Sequence, residues 1–96
     1  MRPSEVFEKN RVLIREIAAR RGTSNPRVFG SVLHGTDRDG SDIDILVDTL
    51  PGTTLFDLGG LQVELEEALG VPVDLVAANE LHRFIRDRVL AEALPV

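Results

Sequence analysis

The feature that most limits this fold is a short span with a tight turn at its start and two acids at its end. Val28-Phe29-Gly30-Ser31 closes one apolar run, ten residues follow, and Asp42-Ile43-Asp44-Ile45-Leu46-Val47 opens another. Arg27 to Phe29 and Asp42 to Val47 read as strands. About ten residues is short for a parallel crossover, so the spacing predicts an antiparallel pair. Between the strands, Ser31 to Gly35 has room for one helical turn with Ser31 as N-cap. Asp39-Gly40 marks a turn in the polar loop that follows. Side chains alternate along a strand, so Asp42 and Asp44 point one way and Ile43, Ile45 and Val47 the other.

Two acids on one strand face call for a cation. Ionised carboxylates about 4 Å apart repel by roughly 4 kcal/mol at an effective dielectric near 20. All-oxygen ligands suit Mg²⁺ or Mn²⁺. Gly30-Ser31 offers a bare backbone and a hydroxyl at a helix start, where phosphate oxygens bind well. A third acid, Asp74, interrupts the apolar run Val71-Pro72-Val73-Asp74-Leu75-Val76. A carboxylate in so apolar a strand is costly unless paired or metal-bound. If this strand lies beside the second, Asp74 reaches the face of Asp42 and Asp44.

The rest of the chain supplies the covering helices. Ser4 to Arg21 reads as one helix with an apolar stripe of Val6, Phe7, Leu13, Ile14, Ile17 and Ala18, interrupted by Asn10. Thr23 to Pro26 reads as a turn. Leu55 to Leu69 reads as a second helix, with Leu58, Leu61, Leu65, Ala68 and Leu69 on one face. Gly59-Gly60 weakens its first turn by about 1 kcal/mol per residue, which gives Gly60 as another start. About two dozen residues including a helix separate strands two and three, which predicts a parallel βαβ unit. Asn79 caps a last helix running to about Ala93, with Leu81, Ile85, Val89 and Ala93 inward and Pro95 as its stop.

Composition narrows the function. The 96 residues predict a single domain, 1–96, with one core. No apolar run approaches the roughly 18 residues a membrane helix needs, and the start carries no signal-peptide pattern. With no cysteine there is neither disulfide nor thiolate zinc, which fits a cytoplasmic protein. A net charge of −5 predicts no direct nucleic-acid binding. Asp37 to Asp42 superficially suggests a calcium loop. However, an EF-hand needs Gly at its sixth position and Glu at its twelfth, where this chain has Asp42 and Asp48. No Walker A lysine pattern occurs.

Gly30-Ser31, ten residues, then Asp42-Ile43-Asp44, with Val73-Asp74-Leu75-Val76 downstream, resembles the signature of the nucleotidyltransferase superfamily that includes DNA polymerase beta. Over nearly its whole length the chain is similar to the minimal nucleotidyltransferase (MNT) antitoxins of HEPN/MNT toxin–antitoxin systems. The resemblance implies an α/β (α+β) fold, α-β-α-β-α-β, with a three-stranded mixed sheet in order 1-2-3, flanking helices and a C-terminal helix. It implies Asp42 and Asp44 as paired Mg²⁺ ligands, with Asp74 as a third ligand that helps to deprotonate the attacking hydroxyl. It implies that Gly30 and Ser31 grip the nucleotide phosphates. The implied cofactors are two Mg²⁺, or Mn²⁺ in their place, and the substrate is ATP. The implied partner is a HEPN toxin, whose tyrosine hydroxyl receives AMP and whose ribonuclease is thereby silenced. Many relatives carry Arg where this chain has His34, which implies a weaker hold on triphosphate. Arg83, Arg86 and Arg88 with Asp87 read most simply as a solvated helix face, and equally as a surface that meets a partner.

A second reading is an antitoxin that blocks its toxin by stoichiometric binding, with weak or absent catalysis. A third, modification of a small molecule such as an aminoglycoside, is disfavoured because no second domain is available for the acceptor. Assembly with itself or with the toxin stays open.

Overall fold

A computed structural model describes all of residues 1–96. The elements run α1 (Pro3–Lys9), α2 (Arg11–Ala19), β1 (Thr23–Phe29), α3 (Gly30–His34), β2 (Ile43–Thr49), α4 (Leu55–Leu69), β3 (Val73–Ala77), a 3₁₀ turn (Ala78–Glu80), α5 (Arg83–Glu92) and β4 (Leu94–Pro95). β1 and β2 pair antiparallel and β2 and β3 pair parallel. The expected three-strand order therefore holds, with a fourth strand added in the arrangement β3-β2-β1-β4.

That fourth strand is the main correction to the expected fold. Leu94 and Pro95 pair antiparallel with Val28 and Arg27, and the Val96 amide donates to Pro26 O at 2.9 Å. Pro95 thus lies in an edge strand rather than merely ending a helix. Proline is tolerated there because its missing donor costs no ladder bond.

The first helix is two helices. The Asn10 side chain donates to Val6 O at 2.8 Å, competing with the backbone as short amides do, and the chain breaks at that residue. β1 begins at Thr23, where a turn was expected. A bulge between Ser24 and Arg27, with Asn25 at φ 51°, lets a turn-like sequence stay in the sheet. β3 begins two residues later than expected, at Val73.

α4 does begin at Leu55, because Thr54 caps it. Thr54 Oγ1 accepts from the Asp57 amide at 3.2 Å, and the Asp57 carboxylate accepts from the Thr54 amide at 2.8 Å. This capping box offsets the glycines behind it. Gly60 also makes room for Arg21, whose guanidinium passes over it to reach Glu64 at 2.8 Å. Ala68 faces outward, against expectation. α5 starts after His82, not at Asn79. The His82 ring nitrogen Nδ1 accepts from the Phe84 amide at 3.2 Å. α5 ends before Ala93, and Ile85 is largely exposed.

Two apolar clusters lie on opposite sides of the sheet. The larger joins Phe7, Ile14 and Ile17 to Ile43, Ile45 and Val47 of β2 and to Leu61, Leu65 and Leu69 of α4. The smaller joins Leu46 to Leu81 and Val89, with Phe29 and Val76 packed against it. Alternation along β2 divides its residues between them. No helix is long and apolar enough to cross a membrane.

Candidate active site

The acids sit on the side of the sheet that carries the smaller cluster. Asp44 shares the Leu46 side of β2, opposite the buried Ile43 and Ile45. In register it is flanked by Phe29 of β1 and by Asp74 of β3. Phe29 is followed by Gly30, whose φ of +69° turns the chain away from the strand. The turn brings Gly30 under Asp44: a methyl on Gly30 would collide with the Asp44 carboxylate. The corner and the acid, far apart in sequence, are thus in contact.

Asp44 is half-buried, while Asp42 and Asp74 are exposed. Burial pushes the Asp44 carboxyl up to about 6, and the neighbouring negative charges of Asp74 and then Asp42 push the same way. The Ser31 backbone N–H beside it pulls in the opposite direction. Asp74 belongs to an edge strand and an open face, so the expected cost of burying it does not arise; its strain is with Asp44.

The three acids share a face without closing into a ready ligand cage, since no group of three His, Cys, Asp or Glu side chains converges that tightly. Asp44 and Asp74 are near enough to share a hydrogen bond, which adds to the upward push on the Asp44 carboxyl. The donor set still fits a divalent cation: hard oxygen donors, an open side, and one carboxyl raised by burial and then by its neighbours' charge.

A cleft of about 530 Å³ adjoins the corner. Phe29, Gly30, Ser31, His34 and Thr36 form one wall, and Ile85, Arg88, Val89 and Glu92 of α5 form the other. Its size suits a small ligand. His34 Nε2 lies 3.1 Å from Glu92 Oε2 and bridges the two walls. The α5 residues were not anticipated as part of a site. Their spacing at 85, 88, 89 and 92 was the available signal, because it draws one stripe along a helix.

Two other acids, Asp37 and Asp48, are engaged in structural contacts. Asp37 is buried, accepts from the Ser4 amide at 2.8 Å and pairs with Arg2 at 3.0 Å. Those partners hold its carboxyl below the usual range, led by the Ser4 amide and against the opposing effect of burial. Asp48 pairs with the buried Arg27 at 3.1 Å and is likewise lowered.

Comparison with known proteins identifies the family. A family model described as nucleotidyltransferase domain matches residues 11–96. A Methanocaldococcus jannaschii chain provisionally named a protein adenylyltransferase is 41% identical over 80 residues, covering 83% of this chain and 86% of that one. Protein adenylyltransferase MntA of Thermococcus cleftensis is 38% identical over 82 residues, covering 85% and 83%. Among solved structures, a chain provisionally named a minimal nucleotidyltransferase superposes with a TM-score of 0.87 at 41% identity, covering 97% and 95%. An MNT antitoxin in complex with a tri-AMPylated HEPN toxin of Shewanella oneidensis shares the fold, with a TM-score of 0.70 at 21% identity over 92% of this chain and 69% of that one. With a mixed sheet, a glycine-serine corner against an acidic strand and a family match over nearly its whole length, this chain belongs to the nucleotidyltransferase domain family.

Proposed function

We propose that residues 1–96 are a minimal nucleotidyltransferase domain acting as an antitoxin. In this reading it moves AMP from ATP onto a tyrosine hydroxyl of a cognate HEPN ribonuclease toxin. The observation that carries the reading is the contact of Asp44 with the Gly30-Ser31 corner, beside Asp74 in register. The relatives named protein adenylyltransferase support the transferred group, and the likeness to the MNT–HEPN complex supports the partner. Residues 1–96 contain no tyrosine, so a tyrosine acceptor lies outside them.

Each residue then has a part. Gly30 lets the phosphates approach the backbone, and Ser31 offers them its N–H and hydroxyl. Asp42, Asp44 and Asp74 would hold Mg²⁺, which supplies neutralisation of charge on the reacting phosphates. Asp74, exposed on the open face, takes the proton of the tyrosine hydroxyl. The phenolic oxygen forms a bond to the α-phosphorus, the bond from that phosphorus to the β-bridging oxygen breaks, and pyrophosphate carries away the electron pair. Positioning and electrostatics make up the protein's contribution.

The test is incubation of this protein with its toxin, labelled ATP and Mg²⁺. Label on the toxin, lost with Asp42→Ala/Asp44→Ala, is expected; unlabelled toxin, or equal labelling by the variant, refutes the reading.

One observation favours stoichiometric binding as a second reading. Leu55 and Phe56 are 76% and 93% exposed at the start of α4, which suits contact with another protein. Neutralisation that survives loss of all three acids would select it.

A further inference from the structure

The cleft holds a cation with nothing to pair with. Arg83 is stacked over Phe84 at 5.0 Å, and Arg86 donates to Leu81 O at 3.0 Å. Elsewhere Arg2, Arg11, Arg20, Arg21 and Arg27 are each paired with an acid. Arg88 has no such partner, yet it lines the cleft that Gly30 and Ser31 share.

Its freedom has a structural cause. Arg88 and Glu92 are one helical turn apart on the same stripe, a spacing at which such residues can reach each other. Glu92 is instead engaged by His34 across the cleft, 3.1 Å away. The contact withdraws a carboxylate from Arg88.

Charge indicates what the free guanidinium waits for. The neighbouring acids and the net charge of −5 disfavour any anion here, so a polyphosphate needs a cation at the end of its path away from those acids. A guanidinium matches phosphate in geometry and charge. We propose that Arg88 binds the phosphate chain of a nucleoside triphosphate lying along Gly30 and Ser31, and that His34 positions it by holding Glu92 away. This rests on reading the site as a nucleotide site, and it adds a residue on α5 to the acids and the corner.

The test measures binding of inorganic tripolyphosphate, of ATP and of adenosine to the whole protein in Mg²⁺. Arg88→Gln should weaken tripolyphosphate and ATP about ten-fold or more, while adenosine binding and melting temperature stay unchanged. Arg88→Lys should fall between. His34→Ala should weaken tripolyphosphate, and adding Glu92→Gln should restore it, a rescue that a merely structural role would not produce. Tripolyphosphate binding to Arg88→Gln as tight as to wild type overturns the assignment but leaves the nucleotidyltransferase reading standing. Equal loss of adenosine overturns it as well. Unchanged binding by His34→Ala overturns the positioning role. If the wild-type protein binds neither ATP nor tripolyphosphate, the assignment and the reading it rests on both fall.

Discussion

Gly30 lies beneath the carboxylate of Asp44, so close that a single added methyl would displace the acid. The strand that supplies Asp44 and the turn that supplies Gly30 are held together by the antiparallel β1–β2 pair, in which Phe29 is the register partner of Asp44. The site's geometry is therefore set by sheet pairing, and the predictions below follow from it.

Gly30→Ala should be harmful in two ways. At φ +69° an L-residue costs about 1 kcal/mol or more, and the methyl pushes Asp44 aside. We expect lower stability in urea and loss of ATP binding. In an Asp44→Ala background the same change should cost less, because the collision partner is gone. Additive losses in that double-mutant cycle would contradict the contact.

Stability should depend on pH through Asp44. Its folded value of about 6 lies above the ordinary 3.8, so between those values the native state binds more protons than the unfolded one. Unfolding free energy contributed by this group therefore falls as pH rises from about 4 to about 6 and stays lower above. Asp37 and Asp48 act oppositely, their contributions being lost as pH falls through and below the ordinary value. Melting curves of Asp44→Asn should show a shallower decline than wild type between pH 4 and 6.5. Parallel curves would count against the clustering of charge.

Mg²⁺ with ATP should raise the melting temperature, since a ligand that binds only the native form stabilises it by about 2.7 kcal/mol at a hundred times its Kd. Asp42→Ala/Asp44→Ala should abolish the shift. The variant should be no less stable than wild type without ligand, because removing those acids relieves repulsion. Differential scanning fluorimetry reads both effects.

Asp37→Ala should release the start of the chain. The carboxylate receives the Ser4 amide and the Arg2 guanidinium, tying α1 to the loop before β2. Loss of that clasp should lower the melting temperature by several degrees and speed hydrogen exchange in residues 3–9. Unchanged exchange there would show the clasp to be dispensable.

Much of this could be read along the chain. Alternation in Asp42–Val47 set the acids apart from the core, a ten-residue link predicted the antiparallel pair, and the spacing of Leu58, Leu61, Leu65 and Leu69 predicted α4. These are local periodicities and turn chemistries, which neighbouring residues determine among themselves. Tertiary structure decided what depended on distant partners. Leu94 and Pro95 became a strand only because β1 left an edge beside them. Asn10 broke a helix that its flanking apolar residues would have continued. Arg88 shares a helical stripe with Ile85, Val89 and Glu92 that Arg83 and Arg86 do not, but that stripe gained its meaning only when α5 packed Val89 onto Leu46 and turned it toward the glycine-serine corner. A chain encodes its repeating pattern residue by residue, but which charge is left without a partner depends on how remote elements pack together.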